Sequence, residues 1–424
     1  MSESNKSHFA EYDLAQWLSY IESIHATEID MGLARVAQVL ARLNIDLSFA
    51  EVITVAGTNG KGTTCAFMET ALIGEHKSVA VYSSPHIERF NERLRVNKTD
   101  IADQLFIEAF AQVEQARAEI SLSYYEFTTL AAFVVLMQTK PEVIILEVGL
   151  GGRLDATNVI DANIAVITTI DLDHQAFLGN TRELIGFEKA GIMRANRIAV
   201  IGDKVPPKSL IDFAEQINAV TQYRDKAFSI VEQQSSWSWQ SESMRLTDLP
   251  LPNIPKDNVA TALMTLLSLN VELTSAKVSE WISNTHVAGR TEIFKGNEDS
   301  ADVMLDVGHN PLAARYLKQH ISTLKYDNVY AVLGMLKDKD IEETVATLKP
   351  IINHWCIGSL TAMRGASADE ILELVKFDNK KCNSFDNVSD AFKMARACAK
   401  ANDLILVCGS FFTVAEVRRL LVTD

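Results

Sequence analysis

The chain has 424 residues, 47% hydrophobic and 22% charged, a globular balance with room for two or three domains of about 150 residues and several buried cores. Its net charge of −15 argues against nucleic acid or an anionic membrane as a general partner. An anionic ligand must therefore be held by local features, such as helix N-termini and a few Lys or Arg.

At the N-terminus, "MSESNKSHFAEYD" has no basic, apolar leader pattern, and no apolar run in the chain approaches a membrane span. "MGLARVAQVLARLNI" then sets Leu33, Val36, Leu40 and Leu43 at helical spacing. From there β-branched apolar runs alternate with helical patterns. Strands are expected at "VITVA" (52–56), "VAVYS" (79–83), "VIILEVG" (143–149), "IAVITT" (164–169) and "IAVIG" (198–202). Between them, "DQLFIEAFAQVEQARAEI" (103–120) and "EFTTLAAFVVLMQ" (126–138) read as helices, the second apolar on most faces and hence buried. Such alternation predicts a mostly parallel sheet covered by helices on both faces.

Past residue 230 the pattern weakens. "EQQSSWSWQSESMRLTDLPLPNIP" reads as edge-strand material and a proline-rich connection, followed by a helix at "DNVATALMTLLSLN". The polar stretch "FKGNEDSAD" (294–302) marks a composition shift, beyond which "VMLDVG", "VYAVLG", "HWCIGS" and "LILVCG" restart the alternation. A domain boundary is placed near residue 296, dividing the chain into 1–296 and 297–424. The five cysteines, at 65, 356, 382, 398 and 408, show neither CxxC nor metal spacing; they fit reduced thiols in a cytoplasm.

In "VITVAGTNGKGTTCAFME" (52–69), a strand runs into Gly57, Gly60 and Gly62, and a helix begins at about Thr63. A loop so placed points backbone N–H groups at phosphates, aided by the helix N-terminus. Lys61 would reach the terminal phosphates. The loop departs from the usual phosphate-loop pattern, because Gly62 stands where a Mg²⁺-binding hydroxyl belongs and Thr63 comes one position late. Another ligand is then required.

Candidates fall at the carboxyl ends of the other strands, where open α/β sheets bind ligands. Ser83 ends "VAVYS", Glu147 lies in "VIILEVG", and His174 follows "IAVITT" in "DLDH". Ser83 equally reads as the start of a turn before Pro85. Glu147 is harder to explain away, since an ionised carboxylate in an apolar run is costly without a cation. His174 beside an anionic site reads as a ligand or as support for one. Lys189, after Glu188, reads on its own as half of a solvated charge pair. Further on, "MLDVGHNP" sets Asp306, His309 and Asn310 at a strand end, and Arg290 lies just before the boundary.

Several longer stretches resemble a known family. "GTNGKGT" is the loop type of the Mur ligase superfamily. "WLSYIESIHATEIDMGLARV", "YSSPHIERFNERLRV", "LEVGLGGRLDATNV", "DHQAFLGNTRELIGFEKAGI", "DVGHNP", "GMLKDKD" and "CGSFFTVAEV" are similar to bacterial folylpolyglutamate synthase/dihydrofolate synthase. The resemblance implies an α/β fold: an N-terminal P-loop ATPase-like domain with a mostly parallel sheet, and a smaller Rossmann-like C-terminal domain that helps hold glutamate. It also implies a reaction. ATP phosphorylates the substrate's carboxylate, and L-glutamate attacks the acyl phosphate. The substrates would be 7,8-dihydropteroate and reduced folates, acted on by a cytoplasmic monomer with no nucleic-acid or membrane partner. Mg²⁺ is the implied cofactor, as two ions, and the family allows for K⁺.

Carried over residue by residue, Ser83, Glu147 and His174 match the metal ligands, and Lys189 matches a lysine carbamylated by CO₂. Asn59, Gly60, Lys61, Gly62, Thr63, Asn258, Arg290 and Asp306 match nucleotide contacts, and His309 a catalytic group. The pterin site would take Ile29, Asp30, Leu122, Ser123, Tyr124, Tyr125, Leu154, Asp155 and Ala156. Tyr124 and Tyr125 suit stacking on a flat ring but suit a core as well. Three positions depart from the family pattern: Gly308 replaces Ala, Asn97 and Lys98 replace a loop Gly, and Phe412 replaces His, leaving Ser410 as the polar group for glutamate. The rivals are a synthase with polyglutamylation alone, a UDP-muramyl ligase, a phosphate-loop switch ATPase, and a metal-free Rossmann binding protein. The muramyl reading lacks an extra domain ahead of Gly57. The switch reading expects Asp-x-x-Gly where Glu147 stands, and the last leaves Glu147 and His174 without a purpose.

Overall fold

A computed structural model describes residue 9 and residues 11–27, 29–375 and 382–422; most of the N-terminal stretch read for a leader lies outside them. Two compact units form. The first comprises Met1–Leu172, Leu178–Pro252 and Lys256–Thr285; the second comprises Asp173–Phe177, Asn253–Pro255 and His286–Asp424. No helix among the described residues is long and apolar enough to cross a membrane.

The first unit is built on an eight-stranded sheet. Its strands are β1 (Glu51–Ala56), β2 (Val79–Tyr82), β3 (Leu94–Val96), β4 (Thr99–Asp100), β5 (Val143–Glu147), β6 (Ile164–Ile167), β7 (Ile198–Ile201) and β8 (Val220–Tyr223). The order is β4-β3-β2-β5-β1-β6-β7-β8, with β3 antiparallel to its two neighbours, β2 and β4, and the other pairs parallel. β1, β2, β5 and β6 are almost wholly buried, as expected of parallel strands covered on both faces. The helix Tyr124–Thr139 is buried along most of its length, and a capping box between Ser123 and Glu126 starts it. Its Phe127 packs with Trp17, Phe106 and Phe110 into one core.

A separate three-stranded antiparallel sheet, ordered β11-β10-β9, uses β9 (Phe228–Glu232), β10 (Trp237–Ser241) and β11 (Arg245–Leu249). The tryptophan-rich segment is thus its central strand, not an edge. Trp237 and Trp239 are fully buried, and their indole N–H groups donate to the carbonyls of Pro250 (2.8 Å) and Ala260 (3.1 Å).

The second unit holds a six-stranded sheet, ordered β12-β13-β17-β14-β15-β16. The strands are β12 (Glu292–Phe294), β13 (Asp302–Asp306), β14 (Val329–Leu333), β15 (His354–Gly358), β16 (Cys382–Phe385) and β17 (Leu404–Cys408). Only β12 runs antiparallel. The polar stretch at 294–302 is the turn joining β12 to β13, and the last crossing between the two units falls at Thr285/His286.

Candidate active site

In the first unit, β1 ends at Ala56 and the glycine loop leads into the helix Lys61–Gly74. Gly60 caps that helix at φ +87, and a Cβ there would lie 2.5 Å from Asn258 Oδ1. Both facts demand glycine. Gly60→Ala should therefore cost about 1–2 kcal/mol of stability and raise KM for ATP. Thermal melts and initial rates would read these effects, and a variant equal to wild type in both would refute the argument.

The loop is clamped by residues after β6 that its sequence does not advertise. Thr58 N donates to Thr169 O (2.7 Å), Thr168 Oγ1 to Asn59 O (2.6 Å), and Thr58 Oγ1 to Asp171 O (3.0 Å). Thr63 Oγ1 donates to Gly60 O (3.0 Å) and accepts from Asn258 Nδ2 (2.8 Å). The hydroxyl one place late thus serves the loop itself and brings Asn258 to it. Lys61 Nζ folds back on the carbonyls of Gly57 (3.0 Å) and Thr58 (3.4 Å).

Glu147 is buried at the end of β5, and its Oε2 would be 3.6 Å from a Cβ on Gly62. The glycine after Lys61 therefore leaves the space that this carboxylate faces. Ser83 follows β2, the neighbour of β5. Its hydroxyl accepts from Arg95 Nη1 (3.5 Å), whose Nε is anchored on buried Glu69 (2.7 Å). Ser83 and Glu147 present the oxygen ligands that Mg²⁺ prefers. His174 belongs to the second unit, so the strand-end set is not gathered in one unit. Among the described residues, no three His, Cys, Asp or Glu side chains form a metal-binding cluster.

Lys189 is buried near the end of the helix Arg182–Ala190, which rules out the exposed charge pair its sequence suggested. Its neighbour Glu188 pairs with Arg153 (2.8 Å), and Arg153 N donates to Glu188 O (2.7 Å). Asn158 fastens the same two segments by donating to the carbonyls of Arg153 and Gly191, each at 3.0 Å.

The residues expected around a pterin divide by role. Leu122 and Ala156 are core, and Ser123 is a helix cap. Asp155 is buried, accepting from the backbone of Gly149 (3.0 Å), Leu150 (2.9 Å) and Thr157 (3.0 Å) and, at 3.4 Å, from Tyr125 Oη. Burial pushes its carboxyl above the usual range against those hydrogen bonds. Asp30 pairs with Arg35 (2.8 Å), which also reaches buried Glu126 (2.9 Å). Ile29, Tyr124, Tyr125 and Leu154 remain partly exposed.

In the second unit, Asp173 gathers three donors that lie far away in sequence. Lys339 Nζ is 2.8 Å from Oδ1, and Asn310 Nδ2 and His309 Nε2 lie 3.0 and 3.5 Å from Oδ2. Lys339 Nζ also meets His174 Nε2 at 3.4 Å. Burial opposes the charge on Asp173, yet the His309 hydrogen bond and the Lys339 ammonium hold its carboxyl well below the usual carboxylate range. A depressed folded value stabilises above the unfolded pKa of about 3.9 and is lost as pH falls below it. Asp173→Asn should therefore lower the melting temperature at pH 7, with the gap to wild type closing on acidification below about pH 4. A gap independent of pH would contradict this.

Asp306 is buried and accepts from the N–H groups of Thr291 (2.9 Å) and Gly308 (2.7 Å). A Cβ on Gly308 would lie 2.8 Å from Asp306 Oδ1, so the departure to glycine here is a packing matter. The Arg290 guanidinium sits 5.3 Å from the Phe411 ring centre. Ser410 is buried and bonded to Thr413 (2.7 Å between hydroxyls), while Phe412 is exposed.

Comparison with known proteins gives the family. Residues 55–268 match the Mur ligase middle domain, and residues 289–411 match the Mur ligase glutamate ligase domain. The dihydrofolate synthase/folylpolyglutamate synthase of Escherichia coli K12 is 44% identical, over 96% of this chain and 95% of that protein. The structure of E. coli FolC in complex with DHPP and ADP aligns with a TM-score of 0.93 at 43% identity, covering 98% of this chain and 99% of that one. A bifunctional folylpolyglutamate synthase/dihydrofolate synthase with Mn, AMPPNP and L-glutamate bound aligns with a TM-score of 0.90 at 42% identity, covering 97% and 99%. On this evidence the chain belongs to the Mur ligase family, in its dihydrofolate synthase/folylpolyglutamate synthase branch.

Proposed function

We propose that the chain is an ATP-dependent ligase that joins L-glutamate to 7,8-dihydropteroate and to reduced folates through an acyl phosphate. The observation that carries this reading is the buried Glu147 carboxylate facing Gly62 in the phosphate loop. A carboxylate facing the glycine loop sets oxygen ligands of the kind Mg²⁺ prefers beside the place for the phosphates, where phosphoryl transfer uses a divalent cation. A carboxylate substrate is a poor electrophile until phosphorylation gives it a leaving group.

The chain's own residues then have the following parts. Lys61 turns from its loop carbonyls to the terminal phosphates, and the N–H groups of the helix start bind phosphate oxygens. Asn258 and Thr63 hold the loop in shape. Ser83 and Glu147 hold Mg²⁺, which when bound spreads the charge that develops on the transferred phosphoryl group. Lys189, as a carbamate, supplies a further carboxylate; its burial in a segment tied to the 152–158 loop supports a role beyond surface charge. Tyr124 and Tyr125 offer partly exposed aromatic surface to a flat ring. Resemblance alone supports a monomer and a cytoplasmic setting.

ADP release with Mg²⁺, ATP and L-glutamate, compared across 7,8-dihydropteroate, tetrahydrofolate and no pterin, tests the reading. Turnover is expected with each acid and not without one. Release that ignores the acid would favour the switch ATPase, and turnover with tetrahydrofolate alone would remove the synthase half.

A further inference from the structure

Arg93 is 9% exposed and sits at the end of the short turn Phe90–Arg93, leading into β3. Its carbonyl accepts from Ser83 N at 2.8 Å, which places it beside the carboxyl end of β2. Its guanidinium lies 5.4 Å from the Tyr124 ring centre and 5.7 Å from that of Phe90. Nε donates to His86 Nδ1 at 2.9 Å. Burial, and then the Arg93 charge, lower the His86 pKa to about 4, so this imidazole is a neutral acceptor and not a counter-ion.

No carboxylate pairs with Arg93 among the described residues. Its sequence neighbours fare otherwise: Arg89 pairs with Asp100 (2.9 Å) and Arg95 with Glu69 (2.7 Å). Glu92, the adjacent acid, spends its two oxygens on the N–H groups of Ile87 (2.8 Å), Glu88 (3.0 Å) and Arg89 (2.8 Å). A guanidinium this buried gives up much of its hydration, and two cation–π contacts restore only part of it. Its terminal nitrogens, which make no hydrogen bond among the described residues and are not sealed from solvent, can then take an anion. The planar fork of arginine suits a carboxylate held through two parallel bonds, and the flat Tyr124 ring beside it suits an aromatic acid. Phosphate has its own receptor in Lys61 and the glycine loop.

We propose that Arg93 is the receptor for a carboxylate of the acid substrate; this rests on the ligase reading above. Two carboxylates share that chemistry: the reacting aryl carboxylate of a pteroate, and the non-reacting α-carboxylate of a glutamyl tail.

The test compares wild type with Arg93→Gln and Arg93→Lys, each checked by thermal melting. In Arg93→Gln, KM for the acid rises on the order of 10- to 100-fold, while KM for ATP and for L-glutamate stays unchanged. Binding followed by pterin fluorescence without ATP gives a second readout. Wild type prefers dihydropteroate to its neutral carboxamide or tetrahydrofolate to its α-amide, Arg93→Gln shows no preference in that pair, and Arg93→Lys recovers part of it. Loss of preference in the dihydropteroate pair alone assigns the reacting aryl carboxylate, loss in the tetrahydrofolate pair alone assigns the tail, and loss in both assigns Arg93 to each carboxylate in its own substrate. Equal weakening towards acid and amide, or a shifted KM for ATP, overturns the proposal. If Arg93→Gln does not fold, Arg93→Lys decides by the same comparison, an undiminished preference overturning the proposal. Wild-type chain inactive with either acid would instead sink the ligase reading.

Discussion

Lys61→Ala is expected to lower kcat/KM for ADP formation by on the order of 10²–10³-fold, the usual loss when a charge aimed at the transition state is removed. The folded state should tolerate the change. Lys61 is partly exposed, and bonds to carbonyls of its own loop, at 3.0 and 3.4 Å, are among its contacts. Most of the loss should fall on kcat, because lysine stabilises charge as it develops on the transferred group. A variant with wild-type kcat and only a raised KM for ATP would reduce Lys61 to a binding residue.

Lys189→Ala should lose activity to a similar extent, on the order of 10²–10³-fold, whereas Lys204→Ala should stay within about twofold. The contrast is one of environment. Lys189 is 3% exposed, while the Lys204 side chain is 53% exposed in a pair with Asp257 at 3.1 Å. Bicarbonate gives the carbamate its own signature. Wild type stripped of CO₂ should lose activity and regain it on bicarbonate addition, and Lys189→Ala should respond to neither step. Equal mild effects at the two lysines would return Lys189 to a structural part.

Much of the phosphate-binding half was legible because its chemistry is local. A strand, three glycines and a lysine fall within a dozen residues, and Glu147 stood out as a charge in an apolar run. The alternation of strands and helices carried the parallel sheets for the same reason. What escaped depends on distance along the chain. Thr168 and Thr169 look like ordinary strand-end residues until their bonds to Asn59 are seen. Asp173 and Lys339 are linked across 166 positions, and no local pattern announces that pair. Lys189 misled in the other direction, since a Glu-Lys dipeptide on a helix looks solvated whether or not the helix is packed. The tryptophan-rich strand was misplaced because alternation shows that one face is buried but not whether another strand covers its edge.

The central claim is that phosphate is transferred to the acid's carboxylate before glutamate is joined. Dihydropteroate labelled with ¹⁸O in both carboxylate oxygens tests it in one measurement, by mass spectrometry of the inorganic phosphate released during turnover with ATP, Mg²⁺ and L-glutamate. One ¹⁸O is expected in each phosphate, with one retained in the new amide carbonyl. Unlabelled phosphate alongside product would contradict it.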